Sequence, residues 1–248
     1  GRHLSRAFLQ AGHQVTAIGR SERPDLIDHA NFHYLSADTT QPGDWQRAVA
    51  EHQVVVNLAG RSIFTLWTDK AKKEMIDSRV LTTRHLVDAI APDGRTVLCS
   101  TSAVGYYGDR GEAHLTEDAR PGDNFLATLA RRWEAEALKA EAKGARVVLT
   151  RFGIVLARGG GAMAIMMPLF RLFLAGPLGS GRQWFPWIHM RDLTAAFQYV
   201  VDQENLSGPF NFCAPEPVRN RRLTRTLADK LSRPAILWAP SFMVKLVL

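Results

Sequence analysis

The chain has 248 residues, of which 46% are hydrophobic and 22% charged, a balance that suits one large α/β domain, or a core domain with a small appendage. No repeat at solenoid or propeller spacing and no low-complexity tract is present, which excludes those architectures. The formal charge is +7, but the cations are scattered and the densest cluster, RNRR at 219–222, reads as a solvated helix start. Charge of this kind suits a phosphate-bearing ligand better than nucleic acid.

A helix is expected over 2–11, stopping at Gly12, then a strand at 14–20 (QVTAIGR). A strand at 31–38, a short helix near 43–52 and a strand at 53–60 (QVVVNLAG) follow. The near-continuous apolar run of QVVVNLAG is that of a strand covered on both faces. A long helix over 69–91 has Ile76, Val80, Thr83, Val87 and Ile90 as its inward stripe, and TVLCSTS (96–102) is the next strand. A helix at 125–143 turns Leu126, Leu129, Ala130, Trp133 and Ala137 inward and stops at Gly144. Residues 146–156 form another strand. This alternation predicts an α/β fold, a Rossmann-like doubly wound parallel sheet.

Beyond it the rhythm breaks into an apolar stretch (162–179), the run GSGRQWFPWIHMRDL (179–193), a helix to about 204 and a strand-like PFNFCA (209–214). These segments predict a small C-terminal substrate lobe over the carboxyl ends of the strands, where such sheets bind ligands. The expected division is therefore a dinucleotide-binding core over 1–156 and, over 157–248, mixed lobe segments with returning core strands. Pro168, Arg171 and Pro177 interrupt the apolar stretch, which falls short of the ~20 apolar residues of a membrane span. A flap or core helix is expected there, and no membrane role.

Cys99 and Cys213 each sit in an apolar strand-like run, so two buried free thiols in a reduced, cytoplasmic compartment are expected. The strand at 14–20 ends in Gly19-Arg20-Ser21, with Arg23 behind and no acid at its tip. In a Rossmann unit an acid there bonds the ribose 2′-hydroxyl of NAD, whereas a cation accommodates the 2′-phosphate of NADP, so NADP(H) is preferred over NAD(H); the alternative is an ordinary surface arginine. Arg79 lies beside the inward stripe of its helix and needs a partner, either Glu74 or Asp77 or a ligand phosphate.

The stretch CSTSAVGYYGD (99–109) puts Ser102, Tyr106 and Tyr107 at a strand's carboxyl end, suited to holding or protonating a polar substrate; the alternative is a hydroxyl-rich turn. The serines lack a GxSxG elbow, which excludes the serine hydrolases that use one. The histidines show no ligand spacing, so no metal is expected. His189 reads as a packed core histidine, and Asp192 as the N-cap of the helix that follows.

NLAG (57–60), the serine-rich strand end before YYGD and GSGRQWFPWIHMRDL together resemble the extended short-chain dehydrogenase/reductase superfamily. WEAEA (133–137), RFGIVLARGGGAM (151–163), PLFRLFLAGPLGSGRQWFPWIH (168–189) and RPAILWAP (233–240) resemble its epimerase-family branch. The resemblance implies that Gly19 and Arg20 hold the adenosine ribose phosphate and that Leu58 and Ala59 pack along the cofactor. It also places Glu74, Arg79 and Ile154 at cofactor contacts and Ser102 at the substrate hydroxyl or carbonyl. Gly1 resembles the last glycine of the phosphate-binding GxxGxxG turn, so the first strand and most of that turn are expected to precede residue 1, as a tail is expected to follow SFMVKLVL. Residues 1–248 alone are then expected to bind NADPH weakly or not at all.

One departure is plain. Active members carry a Tyr-x-x-x-Lys pair on the helix after the serine strand, whereas Phe125 or Leu126 stands near the tyrosine position and Leu129 or Ala130 near the lysine. None of these moves a proton, and Tyr106 or Tyr107 is the available substitute. The expected function is an NADP-dependent oxidoreductase or epimerase acting on a carbonyl or nucleotide-sugar-like molecule. The alternative is a dinucleotide-binding sensor or scaffold without catalysis.

Overall fold

The structure, a computed structural model, describes residues 1–22, 27–235 and 237. Arg23, the run SFMVKLVL and part of RPAILWAP lie outside the described residues. Helix α1 (Arg2–Gln10) turns at Gly12, whose φ of 87° favours glycine, into β1 (Val15–Gly19). Then come β2 (Phe32–Ser36), α2 (Trp45–Ala50), β3 (Val54–Asn57), α3 (Asp69–Ala89) and β4 (Val97–Ala103). A 3-10 turn over Val104–Tyr107 precedes α4 (Phe125–Leu138), a second one over Lys139–Lys143 follows it, and β5 (Arg146–Phe152) comes next. The remaining elements are β6 (Ile154–Ala157), α5 (Gly161–Arg171), β7 (Trp184–Phe185), β8 (Trp187–His189), α6 (Met190–Asp202), β9 (Gly208–Phe212), β10 (Val218–Arg219) and α7 (Asn220–Leu231).

The central sheet runs β3-β4-β5-β9, all parallel, with β1-β2 as a further parallel pair. Strand alternation divides the core into two layers. Val55, Leu98, Val147 and Leu149 face α2, α3 and α4, packing with Trp45, Leu86, Val87 and Ala137. Cys99, Val148 and Phe212 face the opposite side, packing with Leu4 and Phe8 of α1 and with Leu193, Phe197 and Val200 of α6. Full burial of one such side chain is worth about 1.5–3 kcal/mol. Helices on both faces of a parallel sheet make this a doubly wound, Rossmann-type fold.

Local chemistry sets the helix ends. The Thr68 hydroxyl accepts from the Ala71 N–H at 3.2 Å to start α3, and the Asn124 side chain accepts from the Ala127 N–H at 2.9 Å to start α4. The Arg146 guanidinium at the start of β5 donates to the carbonyls of Val200, Val201 and Leu206, closing the C-terminal end of α6.

Several expectations are corrected. The helix at 125–143 tightens into the 3-10 turn after Leu138. The strand at 146–156 breaks at Gly153, where a Cβ would stand 3.0 Å from the Pro186 carbonyl oxygen and from Cys213 Sγ. Residues after the break pair with β8 instead of β9. In α3 the buried residues are Ala71, Met75, Thr82, Thr83, Leu86 and Val87, so Ile76 and Val80 are only half-buried. His189 is exposed, not in the core, because the chain turns into α6 there and its ring nitrogen accepts from the Arg191 N–H at 3.3 Å. It, not Asp192, is the N-cap. Cys99 is buried as expected, whereas Cys213 is half-buried. Among the described residues no helix is long and apolar enough to cross a membrane, and no group of metal-binding side chains gathers.

Candidate functional site

Parallel strands bring their carboxyl ends to one edge: Leu58 follows β3, Ser102 lies near the end of β4, Ile154 follows β5 across Gly153, and Gly19 ends β1 of the β1-β2 pair. Helix α1 runs back from it, which places Gly1 there too; the Gly1 carbonyl accepts from the Ser5 N–H at 2.9 Å.

The end of β3 is organised by Asn57, which is 2% exposed. Its side-chain oxygen accepts from the Ala59 N–H at 3.1 Å, and its amide donates to the Thr83 hydroxyl at 2.8 Å. That hydroxyl donates to the Arg79 carbonyl at 2.7 Å. The loop Leu58-Ala59-Gly60 is thereby fixed against α3, and Gly60 lies under the Arg79 guanidinium. A Cβ on Gly60 would stand 2.8 Å from Arg79 Cζ.

Arg79 Nη1 donates to the carbonyls of Arg61 at 3.0 Å and Met75 at 3.2 Å, and the guanidinium sits over the Trp133 ring at 5.1 Å. Neither expected carboxylate partner reaches it: Glu74 pairs with Arg61 and Asp77 with Lys73. Among the described residues no carboxylate pairs with Arg79, and burial pushes its pKa below the ordinary arginine value. A partly desolvated cation without a counter-charge is suited to a ligand anion.

At the tip of β1, Gly19 lies beneath Tyr34, whose hydroxyl donates to the Ser21 carbonyl at 2.9 Å and would stand 2.9 Å from a Cβ on Gly19. Arg20 is exposed. Asp38 is near enough to feel its charge, although the Thr40 hydroxyl and N–H do most to hold the Asp38 carboxyl below its usual range.

The end of β4 carries a buried network. The Ser102 hydroxyl, in a residue 1% exposed, donates to Glu134 Oε1 at 2.6 Å. Arg151 of β5 grips the same carboxylate through Nε at 2.9 Å and Nη2 at 2.8 Å. Its Nη1 donates to the Tyr107 hydroxyl and to the Glu117 carbonyl, each at 2.9 Å. The Tyr107 hydroxyl in turn donates to Asn211 Oδ1 at 2.6 Å. Burial opposes the Arg151 charge, but the Glu134 carboxylate and then Tyr107 outweigh it and raise its pKa. Burial also pushes the Tyr107 phenol up, against the pull of Arg151.

Tyr106 differs from its neighbour. Its ring lies on the Arg151 guanidinium at 3.6 Å and edge-on to Tyr107 at 5.2 Å, while its hydroxyl has no hydrogen-bond partner among the described residues. It is half-buried. Phe125 packs edge-on against Trp67 at 5.3 Å and Leu129 packs with Ala71 and Met75, so these positions serve the α3–α4 contact. Ile154, at the start of β6, is half-buried and its N–H donates to the Pro186 carbonyl at 2.8 Å.

Sequence reasoning missed Glu134, Arg151, Asn211 and Glu117. The signal for two of them was present: an arginine inside the apolar strand RVVLTRF, and a glutamate next to Trp133 on the inward side of α4. A buried charge of each sign asks for the other.

A family model described as NAD dependent epimerase/dehydratase family matches residues 1–213. The chain belongs to that family. It is 38% identical over 252 residues to "Epimerase family protein SDR39U1 homolog, chloroplastic" of Arabidopsis thaliana, covering 100% of this chain and 72% of the relative. It is 34% identical over 247 residues to "Epimerase family protein YfhF" of Bacillus subtilis, covering 98% and 80%. Among solved structures, the human epimerase family protein SDR39U1 (isoform 2) with NADPH is similar with a TM-score of 0.86 at 33% identity, covering 100% of this chain and 82% of that one. UDP-glucuronic acid 4-epimerase from Bacillus cereus shares the fold, with a TM-score of 0.82 at 16% identity over 97% of this chain and 82% of that one. The family resemblance read from the residue runs and the Rossmann-type fold both stand.

Proposed function

We propose that this protein is an NADP(H)-dependent oxidoreductase or epimerase acting on a carbonyl or nucleotide-sugar-like molecule, with Tyr106 in place of the missing Tyr-x-x-x-Lys pair. The observation that carries the reading is Arg79, a partly desolvated guanidinium that pairs with no carboxylate among the described residues, seated over a glycine at the carboxyl edge of the sheet. The residues fit a dinucleotide. Gly19 and Arg20 take the 2′-phosphorylated ribose, Leu58 and Ala59 pack along the cofactor, and Gly1, Arg79 and Ile154 complete the contacts. Glu74 acts by holding Arg61 beside the Gly60 loop. When bound, the cofactor supplies hydride exchange. The human relative solved with NADPH supports the preference for the phosphorylated form.

Of the three hydroxyls, Tyr106 alone has its proton uncommitted among the described residues, and it is the proton donor in this reading. Ser102 and Tyr107 hold the 3-10 turn that aims it, through Glu134, Arg151 and Asn211. A second reading, cofactor binding without turnover, is favoured by the burial of Ser102 and the donation of its proton to Glu134.

Fluorescence titration of the full-length protein with NADPH and NADH tests the cofactor assignment. Arg79→Gln weakens NADPH binding by about tenfold, or 1.4 kcal/mol, and Arg20→Glu removes the preference for NADPH. Equal affinity of wild type and Arg79→Gln refutes that assignment. Hydride exchange that survives Tyr106→Phe refutes the proton donor, and no exchange by wild-type protein across a carbonyl and nucleotide-sugar panel leaves the second reading.

A further inference from the structure

The charge pair between Glu112 and Arg219 is unlike the others. Among the described residues it is the only ion pair joining a residue before Gly153 to one after it. Glu112 lies on the loop that leaves the Tyr106–Tyr107 turn. The base of that loop is tied down by Arg110, which donates to the carbonyls of Tyr107 at 3.1 Å, Arg120 at 3.2 Å and Pro121 at 2.9 Å. Its tip reaches the β7–β10 ladder, where Arg219 and Trp184 are paired across the strands.

Arg219 is built to hold an anion in a fixed direction. The face of its guanidinium rests on the Trp184 ring at 3.7 Å, and Nη1 donates to the Arg182 carbonyl at 2.5 Å, so the remaining edge is presented rigidly. That edge holds the Glu112 carboxylate. The Arg219 hydrogen bond does most to keep the Glu112 carboxyl below its ordinary range, with smaller help from the Trp184 indole and Arg182. The two partners differ in exposure: the Arg219 side chain is 26% exposed and that of Glu112 is 73%. The cation is therefore part of the framework, whereas the carboxylate reaches in from a solvated loop. An exposed carboxylate on such a pair is weakly held. A phosphoryl group offers more acceptor oxygens to the same fork.

We propose that Arg219, Trp184 and Arg182 form a subsite for an oxyanion of the substrate, and that Glu112 occupies it as an internal placeholder until the substrate displaces it. Displacement frees the tip of that loop, while Arg110 keeps its base against the Tyr106–Tyr107 turn. Assigning the oxyanion to the substrate rests on the proposed function; the cradle and its placeholder do not.

Calorimetric titration of the full-length protein with uridine diphosphate and, separately, with D-glucuronate tests this, using wild type, Glu112→Gln and Arg219→Gln. Glu112 is exposed and Arg219 half-buried, and thermal melting confirms that both variants fold. Removing the placeholder raises affinity at least fivefold in Glu112→Gln, and Arg219→Gln abolishes the binding. A gain for uridine diphosphate alone assigns a phosphoryl group, and a gain for glucuronate alone assigns a carboxylate. If Glu112→Gln binds neither more tightly than wild type, or Arg219→Gln binds as wild type does, the subsite is refuted. NADPH titration of the same variants separates the two readings, because both substitutions leave dinucleotide affinity unchanged. Loss of NADPH binding in all three proteins sinks the cofactor assignment and leaves the Arg219 result standing.

Discussion

Replacing Glu134 by glutamine keeps the shape of a buried carboxylate and removes its charge. The Arg151 and Glu134 side chains are 4% and 7% exposed, so water cannot take over the counter-charge. The glutamine also turns a donor amide toward a guanidinium or toward the Ser102 hydroxyl, each of which donates to Glu134 in the native protein. Breaking a buried pair by removing one partner costs about 3–5 kcal/mol. For a chain of this size each kcal/mol moves the thermal midpoint by about 2–4 °C, so a fall of roughly 6–20 °C is expected. Urea unfolding of Glu134→Gln, Arg151→Met and the double variant closes the cycle, and the double should lose less than the sum of the singles by about 1–3 kcal/mol. A Glu134→Gln cost below about 1 kcal/mol, or strict additivity, would mean that Glu134 does not hold the Arg151 charge. The account of the Tyr106 turn would then fail with it.

Gly60→Ala brings a methyl group to 2.8 Å from Arg79 Cζ, so the guanidinium must leave its two carbonyl partners. The flexible side chain can swing away, so stability changes little while NADPH affinity falls by about tenfold. Affinity equal to wild type in a fluorescence titration would contradict the placement. The thiols give a pH test. Burial pushes Cys213 up to about 11 and Cys99 up to about 12, so at pH 8 about one Cys213 thiol in a thousand is ionised. A chromogenic disulfide reagent should label neither in the native state at pH 8, with Cys213 reacting first as the pH approaches 11. Rapid labelling of either at pH 8 would refute the burial.

The order of strands and helices was legible because short Val- and Ile-rich runs such as QVVVNLAG alternate with longer stretches of nearly fourfold period, as in the 69–91 helix. The inward arc of α3 was read too narrowly. The helix buries one flank on the sheet through Leu86 and Val87 and another on α4 through Met75, with Ile76 packed beside it, so no single stripe describes it. The break at Gly153 left no local sign, since RFGIVL reads as one apolar run and the cause is the Pro186 carbonyl more than thirty residues on. Each partner of the Glu134–Arg151 pair left a local sign, a charge on an inward face, but nothing in the sequence joins the two elements that carry them. Arg79 was legible as a cation needing a partner, but only the fold shows that both nearby carboxylates are taken.

The three carbonyls that Arg146 closes lie 54 to 60 residues further along the chain. At ribosomal rates of about 5–20 residues per second, β5 waits roughly 3–12 s for α6 and β9 to emerge. Until then the open edge of β5 is exposed to pairing with other nascent chains. Residues 190–212 therefore close the edge that the earlier strands leave open during synthesis.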